Sequence, residues 1–96
     1  MPYIQKQDRK KLLSNGLKDL ALELNDASTP GDLNYIFTVL ALAYLKAKGE
    51  KYQHYNDLVG ALEGCKLELY RVYTGKYEQV KMTSNGPVED ELGFLN

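Results

Sequence analysis

Residues 50–77 read EKYQHYNDLVGALEGCKLELYRVYTGKY and hold five of the chain's eight tyrosines and three of its eight glycines. Tyr55, Leu58, Leu62, Cys65, Leu69 and Val72 recur at alternating steps of three and four residues. That spacing stacks them on one face of an α-helix and predicts a core-facing seam over about 52–73. The opposite face is not simply polar. Asn56, Glu63 and Tyr70 follow one another at intervals of seven, flanked by Val59, Gly60, Lys66 and Leu67. Gly60 and Gly64 each cost about 1 kcal/mol of helix propensity relative to Ala. Close approach of a second backbone is the usual compensation. The segment reads as a helix built to pack on two sides, with Thr74-Gly75 as its end.

Upstream, Ala27-Ser28-Thr29-Pro30-Gly31-Asp32 is the clearest punctuation in the chain. Thr29 is placed as an N-cap and Pro30 as the first helical residue, where its missing N–H costs nothing. Asp32, three residues on, can return the bond of a capping box. A helix over 30–48 follows, with Lys46 and Lys48 at the negative end of its dipole and Gly49 as its stop. From Tyr35 to Leu45 this helix is apolar nearly all round, interrupted by Thr38. A helix without a polar face is buried on several sides. A chain of about three helices has little of its own to cover it, so intersubunit packing is the expected cover, with Tyr35, Phe37, Gly60, Gly64 and Tyr77 as interface residues.

The first helical piece is expected over about 5–25, with a kink near 14–16 where Ser14-Asn15-Gly16 interrupts the pattern. Ser14 is placed to cap the second half, in which Leu13, Leu17, Leu20 and Leu24 share a face. After Tyr73 the periodicity fails: Tyr77, Val80 and Met82 form no convincing stripe, and Ser84-Asn85-Gly86-Pro87 reads as a turn. A short irregular or β-like tail is expected there. The domain reading is a helical domain at 1–83, followed by a turn and acidic tail at 84–96.

Ninety-six residues suffice for one domain with a thin core. The longest apolar run ends at Lys46, well short of a membrane span. MPYIQKQDRKK lacks the apolar stretch of a signal peptide, and one cysteine, Cys65, excludes an intramolecular disulfide framework and fits a reducing compartment. A net charge of −1 argues against a dedicated duplex-binding protein. The charge is unevenly spread: Lys6, Arg9, Lys10, Lys11 and Lys18 face Asp8 alone at the start, whereas Glu89, Asp90 and Glu91 cluster at the end. The basic arm is suited to an anionic ligand or to another subunit's acidic tail.

The chemistry of a catalyst is poorly supplied. His54 and Cys65 are the only residues of their kinds and stand eleven positions apart, about 16 Å along a helix, so no zinc set is expected from one chain. Cys65 on a core seam would be inert, Glu63 and Glu68 fall on different faces, and Glu63 with Lys66 reads as an ion pair. No phosphate-binding glycine motif occurs. The tyrosines remain. Tyr70, Tyr73 and Tyr77 span i, i+3, i+7 around Arg71, and phenol rings suit both interfaces and stacking on nucleobases. Candidate ligand contacts are Arg9, Lys10, Lys11, Asn56, Glu63, Lys66, Tyr70, Arg71 and Tyr73.

Three phrases occur together: MPYI-x-K-Q-D-R at 1–9, GDLNY-x-x-T-x-L at 31–40, and N-D-x-x-GALE-x-x-K-x-E-x-Y-R at 56–71. Over about residues 1–85 the chain resembles a family of small proteins of unknown function from tailed phages and prophages. It departs from that pattern at Val72, where relatives carry a second Arg, and in the extension Glu89–Asn96. The resemblance implies a mostly helical protein acting in the host cytoplasm, and it brings no activity with it. A broader analogy is to helical phage sponges that sequester cyclic nucleotide signals of bacterial immunity between subunits. The combined expectation is an all-α, homo-oligomeric, non-enzymatic binding protein without cofactor or metal. Its ligand is a cyclic oligonucleotide or cyclic ADP-ribose type signal. The alternative is an interaction module that binds or blocks a host or virion protein.

Overall fold

The computed structural model describes residues 2–95. Met1 of the first motif and Asn96 of the acidic tail lie outside the described residues. The described chain is all-α, and no strand occurs among its residues. Helix α1 spans Lys6–Leu12 and α2 spans Lys18–Glu23. Between them the backbone breaks at Asn15 and at Gly16, whose φ of 112° is open to glycine at no steric cost. The kink stands where the sequence puts it. Ser14, however, does not cap α2. Its Oγ donates to the carbonyls of Lys10 at 2.8 Å and Lys11 at 3.1 Å, the backward bond to residues three and four positions earlier that a serine at the end of a helix readily makes.

A polar turn then leads into α3, Pro30–Lys48. Asn25 Oδ1 accepts from the Ala27 N–H at 2.8 Å, and Ser28 Oγ accepts from the Asn25 N–H at 3.0 Å. Thr29 Oγ1 accepts from the Asp32 N–H at 3.1 Å while Asp32 Oδ2 accepts from the Thr29 N–H at 2.9 Å. The capping box is complete. At the far end the Gly49 N–H donates to the Leu45 carbonyl at 2.7 Å, and the His54 Nδ1–H donates to the Gly49 carbonyl at 2.8 Å. These two bonds tie the short connection between α3 and α4, Tyr52–Glu68, which pack together as a hairpin.

The expected end of the third helix is overturned. Thr74 and Gly75 both keep right-handed helical geometry, and α5, Gly75–Asn85, continues from α4 through Leu69–Thr74, a turn of the wide π type. The result is a 34-residue rod, about 51 Å at helical rise, which sets the 56 Å long axis of the molecule. A glycine weakens a helix but does not stop one whose neighbours are helical. The wide turn also explains the lost periodicity. It slips the phase of the side chains by about one residue, so Tyr77 and Val80 take the places that regular spacing would give to residues 76 and 79, and the stripe looks broken in the sequence. Ser84 and Asn85 belong to the rod's last turn, and the stop comes at Gly86, with φ of 90°. Val88–Glu91 and Gly93–Leu95 form short 3-10 turns.

Little of this is interior. Leu45 is the one buried residue among those described. Ile36 and Ala41 of α3, Leu58 of α4, Val72 beyond it and Leu20 of α2 are half-buried. The seam expected to be core is therefore mostly open: Tyr55, Leu62, Cys65 and Leu69 are exposed in the single chain, because no other helix lies over them. The radius of gyration is 18.7 Å, against roughly 12–13 Å for a compact chain of this length.

The capping box generates a prediction. Thr29→Ala lowers stability by about 1 kcal/mol, and adding Asp32→Ala costs less than the sum of the single losses because the two bonds form one unit. Chemical denaturation of the two single variants and the double variant measures both.

Candidate functional site

Among the described residues, the N-terminal arm makes the one side-chain hydrogen bond that is long-range in sequence. Tyr3 donates its hydroxyl proton to Glu68 Oε1, across sixty-five positions of sequence. Arg71 Nη2 donates to the same carboxylate, at 3.1 Å to Oε2 and 3.3 Å to Oε1. Arg9 turns its Nε–H back to the Ile4 carbonyl at 2.7 Å, which bends the arm into α1. Pro2, Tyr3 and Arg9 on one side and Cys65, Glu68, Leu69 and Tyr73 on the other enclose an open cleft of about 350 Å³.

Glu68 sits at the base of this cleft as a common acceptor. Its carboxyl is held below the usual 4.5, first by the Tyr3 hydroxyl and also by Arg71, against the desolvation of a half-buried position. The Tyr3 hydroxyl is raised above the usual 10.0, first because it gives its proton to Glu68 and further by that carboxylate's charge. The two shifts describe one arrangement: ionised acid, protonated phenol. Arg71, largely exposed, directs the rest of its guanidinium outward. The cleft thus offers the Arg9 cation, the Glu68 acid with Arg71 paired to it, two aromatic rings and an apolar wall at Leu69.

Of the nine ligand candidates, the structure gathers three. Arg9 and Tyr73 line the cleft, and Arg71 reaches it through Glu68. Lys10 and Lys11 are exposed on α1, and Tyr70 is exposed at the start of the wide turn. Lys66 pairs with Glu63 at 3.5 Å, as the i, i+3 spacing predicts, and both are exposed. Asn56 lies twelve residues before Glu68, about 18 Å along the helix. Pro2, Tyr3, Cys65, Glu68 and Leu69 are the cleft residues missing from the expected set. Nothing local in the sequence pairs residue 3 with residue 68. Among the described residues no group of three His, Cys, Asp or Glu side chains is placed to hold a metal ion.

A second recess lies between α3 and α4. Phe37, Leu40, Ala41 and Tyr44 line one side and Asp57, Leu58, Ala61 and Leu62 the other, around a cleft of about 270 Å³. The proposed interface residues Tyr35 and Tyr77 point to solvent, Tyr77 with the Lys81 ammonium 5.7 Å from its ring centre. Gly60 is exposed, and a Cβ added there would meet nothing within 4 Å beyond its own helix backbone and chain neighbours.

The arm has a defined pH window. Glu68's folded value is depressed, so its contribution is present above 4.5 and lost as pH falls through the lower folded value. Tyr3's folded value is raised, so its contribution is present below 10.0 and lost as pH rises through the higher folded value. The arm is expected to leave Glu68 at both limits, and Tyr3→Phe is expected to release it at neutral pH. NMR signals of the Tyr3 ring, followed across the titration, read this directly; a Tyr3 titrating at the ordinary value refutes the pairing.

No helix among the described residues is long and apolar enough to cross a membrane. The chain matches no curated protein and no solved structure. One family, described as a domain of unknown function (DUF6899), matches residues 1–88, which takes in all five α-helices and both clefts. With nearly its whole length matched, the chain belongs to that family.

Proposed function

We propose that this protein is a homo-oligomeric helical interaction module, a binding protein rather than a catalyst, whose main partners are polypeptides. One observation carries the reading. The chain exposes 8688 Å², where a compact monomer of its mass exposes about 5,600 Å², and much of the surplus is Leu, Val, Phe and Tyr on α3, α4 and α5. Exposure of this many large apolar side chains is the mark of protein contact. A small ligand covers a few hundred square ångströms; the surplus is roughly 3,000 Å² per chain, above the ~800 Å² per partner of a standard interface. The resemblance to phage proteins supports reading this module as one that acts in an infected host's cytoplasm by binding or blocking a host or virion protein.

A second reading is favoured by the cleft at the arm. Arg9, Arg71, Tyr3 and Tyr73 supply the cations and stacking faces that a nucleotide requires, and a cyclic nucleotide immune signal is the ligand this chemistry suits. Glu68 opposes an anion there, and Arg71, paired with it, has to share its guanidinium between that carboxylate and the ligand.

Light scattering on the purified protein tests the first reading: a mass of at least twice 10.9 kDa is expected, and a helical 10.9 kDa monomer overturns it. Thermal shift against cyclic di- and trinucleotides and cyclic ADP-ribose isomers tests the second. A ligand at a hundred times its Kd stabilises by about 2.7 kcal/mol, and Arg71→Ala is expected to erase the shift while leaving the oligomer intact. A flat panel removes the nucleotide reading.

A further inference from the structure

We infer that the cleft between α3 and α4 is the surface through which two copies of this chain meet, hairpin on hairpin, to form a four-helix core. The inference rests on the self-association reading above and names the face that carries it. Phe37, Leu40, Ala41 and Tyr44 follow the i, i+3, i+4, i+7 pattern of one helix face, and Leu58, Ala61 and Leu62 follow i, i+3, i+4 on the other. In most helical hairpins such stripes are consumed by each other. Here both stripes carry a small residue near the middle, Ala41 and Ala61, and the large side chains stand beside them. Phe37, Leu40, Tyr44 and Leu62 all remain exposed.

The surface therefore has both halves of a helix contact: ridges of Phe37, Leu40, Tyr44 and Leu62, and a groove floored by alanine. Ridges of one helix pair seat in grooves of another. A two-fold interface requires a patch that is complementary to itself, and one that carries both ridges and a groove has the two parts this needs. Charge raises no obstacle. Asp57 is the one formally charged residue lining the cleft, and its Oδ1 accepts from Gln53 Nε2 at 2.7 Å.

The area decides for a second copy over a foreign chain. With Leu45 as the sole buried residue among those described, the uncovered surface is a deficit in the protomer's own interior. Whatever fills it has to be present whenever the chain is folded, in equal amount. A second copy satisfies that condition by synthesis. Homodimer interfaces of obligate type bury about 2,000–5,000 Å² in total, or about 1,000–2,500 Å² per chain, which a surplus of roughly 3,000 Å² per chain is large enough to supply.

The test compares Leu40→Glu, inside the cleft, with Leu22→Glu on α2, exposed and outside it. By light scattering at micromolar concentration the wild-type chain is expected to be oligomeric. Leu22→Glu is expected to keep that mass, and Leu40→Glu to weaken association at least a hundredfold. Circular dichroism reports whether the variants stay helical. Where Leu40→Glu unfolds, Ala61→Cys in a Cys65→Ser background decides: a short bis-maleimide is expected to link two copies through position 61, whereas Leu22→Cys in that background is not linked. An unchanged mass for Leu40→Glu, or an intact oligomer that does not link at 61, overturns the cleft as the interface and leaves self-association through another face. A monomeric wild-type chain overturns both.

Discussion

Everything in this molecule hangs on how little it encloses. Two helices, α3 and α4, are brought together by a connection pinned at Gly49 and His54, and their contact shuts away one side chain, Leu45. Full burial of a leucine contributes about 1.5–3 kcal/mol, while ordering the backbone costs roughly 1–2 kcal/mol for each residue. Local devices add to the hairpin: a complete capping box at Thr29 and Asp32, a Pro at the first helical position and lysines in the last turn. Such devices set where helices begin and end, and each is worth about a kilocalorie. They do not replace an interior. The proposed pairing across the α3–α4 cleft supplies one from outside, and the alanines at its floor are what leave room for it.

The N-terminal arm is the second organising contact, and it differs in kind. It joins residue 3 to residue 68 through one carboxylate that accepts hydrogen bonds from a phenol and a guanidinium. Charge-assisted bonds of this sort direct geometry more than they stabilise at an exposed surface. Their effect is to hold Arg9 and Tyr73 on opposite sides of one cleft and to place that cleft beside the wide turn at Leu69–Thr74. Turns of this type recur at functional sites because they re-aim side chains without ending the helix. Here the turn separates a half-covered α4 from an α5 whose residues from Lys76 to Asn85 are all exposed.

Legibility followed the range of the interactions. The break at Asn15-Gly16, the bounds of α3 and its capping box could be read from residues within four positions of one another, and the structure has them where the sequence places them. The pair Glu63–Lys66 was readable for the same reason. Thr74-Gly75 misled because a glycine is a weak stop, overruled by helix formers such as Lys76, Glu78 and Gln79 after it. The failing stripe beyond Tyr73 misled because periodicity presumes a constant turn, and the wide turn changes the phase. Ser14 misled because two helix ends compete for one hydroxyl.

By itself, then, the sequence determined an all-α chain, its punctuation, the amphipathic stripes and the surplus of apolar and aromatic residues over what three helices can hide. Those properties are local or additive, so each residue carries its share of the signal. Only the tertiary structure decided that the stripes stay largely open, that α4 runs on into α5, and that Tyr3, Arg9, Glu68, Arg71 and Tyr73 meet at one place. Each of these depends on where distant segments come to rest. That is a property of chain closure and packing, and no window along the chain contains it.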